Sequence, residues 1–427
     1  YLFIQYRKCV VLCIHINHEF HVFNCRFLQS IYILQVLIML QNKYQYYLLV
    51  VVFISLISFP IINTQLGIVK DIKSSENRKM AEFPIPNIEN LDAYPSKFNL
   101  YFNDNFSIRA RLIEMYNTFI LSMYHKSPMP DQIVFGKDGY IFLGDDELTS
   151  FRGKNILTSD ELSKIKQELE YRNKYLAKRN CKFYVLVAPN KAAIYYDKMP
   201  ENVVRIYEKS WGEQLINYLE KNTDLNTINL FDRFKDIKDT TQLYLKLDNH
   251  WNNLGAYYAV SEFINHLKKD ITTIKSKPLS DYNIVKSSTK KGNIVEMLSN
   301  NEEFQDTIYS LVPKAGIEYS IDTNQKYPCI DGFPYCFEYE MHNHSKNPSD
   351  STKPKLLIIS DSFGGAFYPI ASEYFRETTK IFDSWQYKLN EPIVENEKPD
   401  VMILIMLESN IRNLLRHTSC PDIKRSN

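Results

Sequence analysis

No two of the seven cysteines stand in C-x-x-C spacing, which argues against a paired-thiolate zinc site. Net charge is equally scarce. With 51 basic against 50 acidic side chains, the formal value of +1 excludes nucleic-acid binding driven by bulk electrostatics. Even that surplus is local: residues 1–62 carry Arg7, Lys8, Arg26 and Lys43 against Glu19, so the rest of the chain is mildly acidic. No internal repeat is present.

What the chain has is length and an ordinary globular balance, 44% hydrophobic and 24% charged. Its 427 residues suffice for one large domain or two ordinary ones, with an ample core. The 30 Tyr and 25 Phe have two competing explanations, the codon bias of an AT-rich genome or ring faces for stacking sugars. Cys329 and Cys336 bracket a turn-rich run. They either pair across that small loop in an oxidising compartment or remain free thiols.

Residues 1–38 begin with Tyr1, mix Cys, His, Phe and Ile, and follow neither a helical nor a strand period. Met39-Leu40-Gln41-Asn42-Lys43 reads as a bacterial start, so residues 1–38 are expected to be upstream-translated sequence outside the working protein. Between Lys43 and Lys70 no side chain is charged. The run Tyr46 to Ile62 is about long enough to cross ~30 Å of hydrocarbon at ~1.5 Å per residue. A cleaved signal peptide is the competitor, but bulky Ile61 and Ile62 after Pro60 leave no small-x-small cleavage site. The expected organisation is therefore an uncleaved anchor at 39–69, an extended linker at 70–92, and a catalytic domain at 93–427 with a polar, irregular insert at 270–350. Lysines on both sides of the run leave its orientation open.

From Pro95 the pattern turns helical, with Leu112, Ile113, Tyr116 and Phe119 marking an apolar stripe over Arg109 to Ile120. Val134 to Leu143 reads as a hairpin turning at Lys137-Asp138-Gly139. An α/β alternation follows. A helix capped at Asp160-Glu161 precedes the apolar strand Phe183 to Val187, which ends at Ala188-Pro189-Asn190-Lys191. Helices near 209–221 and 255–267 flank a short strand near 226–230. Two more fully apolar runs are Lys355 to Ile359 and Asp400 to Met406. Such runs between helices predict an α/β fold with a mostly parallel sheet covered on both faces.

In open α/β sheets ligands bind beyond the carboxyl ends of the strands. Ser362 stands three residues beyond Ile359, where a strand passes to a helix and backbone N–H groups gather. The Ser362 and Gly364 amides are candidate donors to an oxyanion in acyl transfer. A serine there is also a common N-cap, so it needs a partner. Leu247-Asp248-Asn249-His250-Trp251 supplies one, because a serine nucleophile needs a base and the base a group that fixes its tautomer. Asp248 and His250 point the same way if the segment is extended. The plainer reading is a surface Asp beside a structural His. His266 falls inside an amphipathic helix, and His342 and His344 lack the carboxylate spacing of a metal site.

Taken together these blocks resemble the SGNH-hydrolase-like acetyltransferases of the alginate O-acetylation type, whose signature is Asp-x-His-Trp. The opening hairpin 134–143, Ala188-Pro189-Asn190-Lys191 with Tyr196 and Met199-Pro200, Tyr244 to Trp251 with Gly255-Ala256, and Ile359-Ser360-Asp361-Ser362-Phe363-Gly364 occur in the family's order. Lys398-Pro399-Asp400 and Glu408 resemble its last strand, and Glu76-Asn77-Arg78 with Asp104 to Arg109 its upstream segments. The resemblance spans about residues 46–415 and departs at two positions: Ser360 replaces the usual Gly, and Leu247 a residue that is often polar.

The resemblance implies an SGNH-hydrolase-like three-layer sandwich behind one N-terminal transmembrane helix. It implies Ser362 as nucleophile, His250 as general base and Asp248 as its orienter, with Asp and His preceding Ser in the chain. Trp251, Tyr244 and Lys191 are expected to line the site, Trp251 having a rival role as core anchor. No metal or cofactor is expected. The implied partners are a polysaccharide acceptor and a membrane-bound acetyl-donor protein of the O-acyltransferase type, with the catalytic domain on the periplasmic side of a bacterial inner membrane. A carbohydrate acetylesterase or a catalytically silent envelope scaffold are the alternative readings.

Overall fold

In the computed structural model the described residues are 19–70, 80–88, 91–298, 304–316, 319–322, 338–345, 352–383 and 385–424. The chain divides into two units, Tyr1–Leu112 and Ile113–Asn427. The first contains α1 (Glu19–Leu66) and α2 (Tyr94–Asn105). Within α1, Lys43–Leu66 is long and apolar enough to cross a membrane, with a mean hydropathy of 2.2. Gly67 ends the helix in the left-handed conformation at φ 60°, its N–H returned to Asn63 O at 2.8 Å. The helix starts twenty residues before the expected anchor at 39. Periodicity misses this because a helix needs one wet and one buried face to show a period.

Next comes α3 (Arg109–Tyr124), which buries Asn117 and Leu121 rather than the expected stripe. Tyr116 and Phe119 instead face outward, 56% and 53% exposed. The predicted hairpin forms as β1 (Ile133–Phe135) and β2 (Ile141–Leu143). Two helices follow, α4 (Asp145–Arg152) and α5 (Ser159–Ala177). The cap of α5 is Thr158, two residues earlier than Asp160: its hydroxyl accepts the Glu161 N–H while the Glu161 carboxylate accepts the Thr158 N–H.

The sheet is assembled from β3 (Lys182–Ala188), β4 (Asn226–Ile228), and later strands, with α6 (Trp211–Asn222), α7 (Phe231–Ile237) and α8 (Asn253–Asp270) between. The expected irregular insert holds four strands: β5 (Tyr282–Thr289) and β6 (Asp306–Pro313) form a separate antiparallel ribbon, and β7 (Tyr319–Asp322) pairs with β8 (Glu338–Ser345). Then come β9 (Lys355–Ser360), α9 (Gly364–Ala371), β10 (Glu377–Phe382), α10 (Glu391–Glu397) and β11 (Val401–Leu407). Strand order is β4-β3-β11-β9-β10-β8-β7. The first five strands are parallel, and β8 and β7 extend the edge antiparallel.

Successive side chains of a strand point to opposite faces. Phe183–Ala188, Leu356–Ser360 and Val401–Met406 are nonetheless buried at every position, so helices cover the sheet on both faces. Ile165, Leu169 and Leu176 of α5, Leu215 and Leu219 of α6, and Phe263 and Leu267 of α8 share the same core. The polar lettering of the insert hid its strands, because residues 283–288 of β5 are solvent-exposed on both faces. The Cys329–Cys336 pairing lies outside the described residues, whereas Cys181 and Cys420 are free and buried.

Candidate active site

β9 delivers Ser360, Asp361 and Ser362 to the carboxyl end of the sheet. Asp361 is fully buried there and organises the turn. Its Oδ1 accepts the Phe363 N–H at 2.8 Å, and its Oδ2 accepts the Tyr387 hydroxyl at 2.7 Å and the Leu407 N–H at 2.6 Å. Burial raises its carboxyl, an effect that these three donors oppose. Ser362 is left exposed at the crest.

The histidine loop meets it there. Ser362 Oγ lies 2.7 Å from His250 Nε2, and His250 Nδ1 lies 2.6 Å from Asp248 Oδ1. The carboxylate fixes Nδ1–H as the donor, which leaves Nε2 free to accept from the serine. The loop is a turn rather than the expected extended segment: Asp248 Oδ1 also accepts the His250 backbone N–H at 3.0 Å. Asp248 Oδ2 accepts the Asn293 N–H at 2.9 Å. Burial pushes the Asp248 carboxyl up, but the bond and charge of His250 and the two backbone donors outweigh it and hold it below the usual range. Asn293 and Asn249 clasp each other, the Asn249 N–H donating to Asn293 Oδ1 at 3.1 Å and Asn293 Nδ2 to Asn249 Oδ1 at 2.5 Å.

Beneath the loop lies Lys191, fully buried, whose ammonium donates to Leu245 O at 3.1 Å, Lys246 O at 3.0 Å and Asp248 O at 2.6 Å. Burial lowers it to about 8, and Glu147, itself raised to about 7 by burial, opposes that fall. The Glu147 carboxylate accepts the Ala192 N–H at 3.1 Å. Asp306 secures the outer side of the same strip, its Oδ2 accepting from Lys246 N at 2.5 Å and Leu247 N at 3.3 Å. Beside it opens a polar cleft of about 480 Å³, lined by Gln242, Lys246, Lys286, Ser288, Asp306 and Thr307 among others.

Residues 133–325 match the sequence model of the family described as SGNH hydrolase-like domain, acetyltransferase AlgX. That stretch is similar to the family over less than half of the chain. The match includes Asp248 and His250 and ends before Ser362. Among solved structures, PatB1 of Bacillus cereus with a sulfonyl adduct is 17% identical, covering 65% of this chain and 97% of its own, at a TM-score of 0.48. A DHHW family protein of Eubacterium siraeum is 18% identical, covering 67% and 98%, at 0.46. The O-acetyltransferase domain of Pseudomonas putida AlgJ is 13% identical, covering 69% and 99%, at 0.43. No curated protein matches the chain.

The three residues expected to line the site do not line it. Lys191 is enclosed beneath the loop, as described. Tyr244 is fully buried, its hydroxyl spent on Pro189 O at 2.6 Å. Trp251, 2% exposed, takes the anchor role: its Nε1–H donates to Phe363 O at 3.1 Å and its ring meets Phe363 edge-on at 5.0 Å, tying the His250 loop to the Ser362 turn. Size and aromaticity made these residues conspicuous in the sequence, but the same properties fill a core.

The expected oxyanion pair is split. The Gly364 N–H is donated to Asp361 O at 3.1 Å as α9 begins. The Ser362 N–H donates to no acceptor among the described residues. Ser360, standing for the usual Gly, tucks its side chain under Gly364, where a Cβ would lie 2.0 Å from Ser360 Oγ. Sequence reading missed Asn293 and Glu147, since nothing in their spacing links them to a loop they reach only in three dimensions.

Proposed function

We propose that the domain transfers acetyl groups to hydroxyls of an exported or cell-envelope polysaccharide through a Ser362 acyl-enzyme. The hydrogen-bonded line Ser362–His250–Asp248, with Ser362 exposed at its end, carries the reading. In the first half-reaction Ser362 Oγ attacks the donor's acetyl carbonyl while its proton passes to His250 Nε2. The carbon–oxygen bond to the donor then breaks and the proton leaves with that oxygen. In the second half-reaction a glycan hydroxyl gives its proton to His250 Nε2 and attacks the acyl carbonyl; the bond to Ser362 Oγ breaks and that oxygen takes the proton back. The Ser362 N–H is the oxyanion donor this geometry supports.

The family match supports acetyl transfer, and the open polar cleft beside the base loop supports a hydroxyl-rich acceptor. Lys43–Leu66 is read as a single-pass anchor in a bacterial inner membrane, with the catalytic unit on the periplasmic side. A donor acetyl group must then arrive from a membrane-borne protein, because acetyl carriers are made inside. The test incubates the full chain in detergent with a chromogenic acetyl ester, beside Ser362→Ala. An acetyl adduct on the peptide containing Ser362, or acetate release abolished by Ser362→Ala, is expected. Absence of both in folded protein favours a silent scaffold. Added glycans then sort transfer from hydrolysis.

A further inference from the structure

Helix α3 turns its apolar stripe away from the domain. Met115, Tyr116, Phe119, Met123 and Tyr124 are each more than half exposed, at 66%, 56%, 53%, 65% and 58%. They recur at helical spacing along one side, and together they present roughly 500 Å² of mostly apolar surface, toward the upper end of what soluble monomers leave uncovered. The stripe cannot roll inward. On the opposite side Asn117 and Leu121 are buried, and Asn117 Nδ2 donates to Leu298 O at 3.1 Å. Ser122, on the exposed side, is bonded back to Thr118 O within the helix. Lys126, just past the helix, is exposed.

A rigid apolar stripe with tyrosines at its middle and end, followed by a cation, has the makeup of a helix that lies in a bilayer interface. The same chain carries a segment long enough to span a bilayer, and α3 begins only 43 residues after Leu66. That tether raises the local concentration of lipid surface around α3, whatever the orientation of the connecting residues. A water-facing role would leave the stripe without a counterpart.

We propose that the α3 face of Met115, Tyr116, Phe119 and Met123 rests on the membrane surface and holds the catalytic unit against the lipid. The inference rests on the anchor reading of Lys43–Leu66, and its test separates the two. The full chain is placed in nanodiscs of phosphatidylcholine or of the same lipid brominated on its acyl chains, as Phe119→Trp, as Val51→Trp within the anchor, and as wild type. The emission of the added tryptophan is obtained by difference from wild type.

Bromine should quench the added emission by at least half at both positions, and aqueous iodide should quench neither. Quenching by bromine at position 51 with iodide quenching at 119 overturns the proposal while leaving the anchor intact. Position 119 insensitive to both, with two chains per disc, assigns the stripe to a second copy and also overturns it. Loss of bromine quenching at position 51 removes the anchor, and the proposal with it.

Discussion

The Lys191 ammonium donates to the Asp248 carbonyl at 2.6 Å, so a buried cation sets the backbone of the residue whose carboxylate is bonded to His250 Nδ1. Two further bonds, to Leu245 O and Lys246 O, fix the strip that leads into the turn. Fully buried, Lys191 reaches the proposed site only through the backbone that carries Asp248.

Replacing Lys191 by Met should therefore lower kcat for a small acetyl ester about 10- to 100-fold, an order expected when a base is loosened by a fraction of an ångström. KM should stay within about twofold. Stability should fall by about 3–5 kcal/mol, because Glu147 is left buried without its cation. The double variant Lys191→Met/Glu147→Gln should recover much of that stability but not kcat. Denaturant unfolding and steady-state kinetics on the four proteins check this. A KM effect alone would return Lys191 to the substrate surface.

Trp251→Phe keeps the ring that packs on Phe363 and removes the Nε1–H donated to Phe363 O. A neutral buried hydrogen bond is worth about 1 kcal/mol, and the orphaned carbonyl adds to the cost. We expect a stability loss of about 1–3 kcal/mol and a kcat lowered by up to about tenfold. Unfolding midpoints and ester kinetics measure both. If stability is unchanged and only glycan affinity falls, the indole serves the ligand instead.

The parallel strands of the sheet were legible in the sequence for a physical reason. Phe183 to Val187, Lys355 to Ile359 and Asp400 to Met406 are unbroken apolar runs, and a strand buried on both faces must look like that. Ser362 stood out by its place just past an apolar strand, and His250 by the Asp two residues before it. β10 did not stand out. Glu377-Thr378-Thr379-Lys380 reads as polar, yet Thr378, Thr379 and Lys380 are buried between β9 and β8. The ribbon of β5 and β6 was equally hidden, since β5 is exposed on both faces and β6 only half-buried, which leaves no apolar alternation. Asn293 was out of reach for a different reason: its contribution to Asp248 is a backbone N–H, which every residue but proline owns.

Asp248 is held below the usual carboxylate range, so it remains ionised wherever His250 is asked to accept a proton. The linkage has a definite sign. A carboxyl depressed in the folded protein contributes stability that is complete above its ordinary unfolded value and is lost as pH falls through the depressed one. Asp248→Asn should remove that acid-side component of the stability profile and cut kcat by about 10³–10⁴, since the amide favours the wrong imidazole tautomer. Urea melts from pH 3 to 7 together with ester kinetics check the pair of effects. An unchanged profile would mean that the carboxylate is not engaged with His250.

The strand-to-helix turn at Ser360 is packed to the limit. Gly364 lies over the Ser360 side chain so closely that a Cβ would sit 2.0 Å from Ser360 Oγ and 2.6 Å from Ser360 Cβ. The hydroxyl there is buried and has no hydrogen-bond partner. Gly364→Ala should thus destabilise the domain by about 1–3 kcal/mol through overpacking and displace the serine that follows β9. Ser360→Gly alone removes an unsatisfied polar atom and should be neutral to stabilising, within about 1 kcal/mol after the cost of a glycine in a strand. The double variant Ser360→Gly/Gly364→Ala should regain most of the stability lost in Gly364→Ala, because the methyl then occupies the space the serine vacated. Additive losses in the double variant would show that the two side chains do not compete for one site, and the close approach would then owe nothing to the serine that replaced glycine.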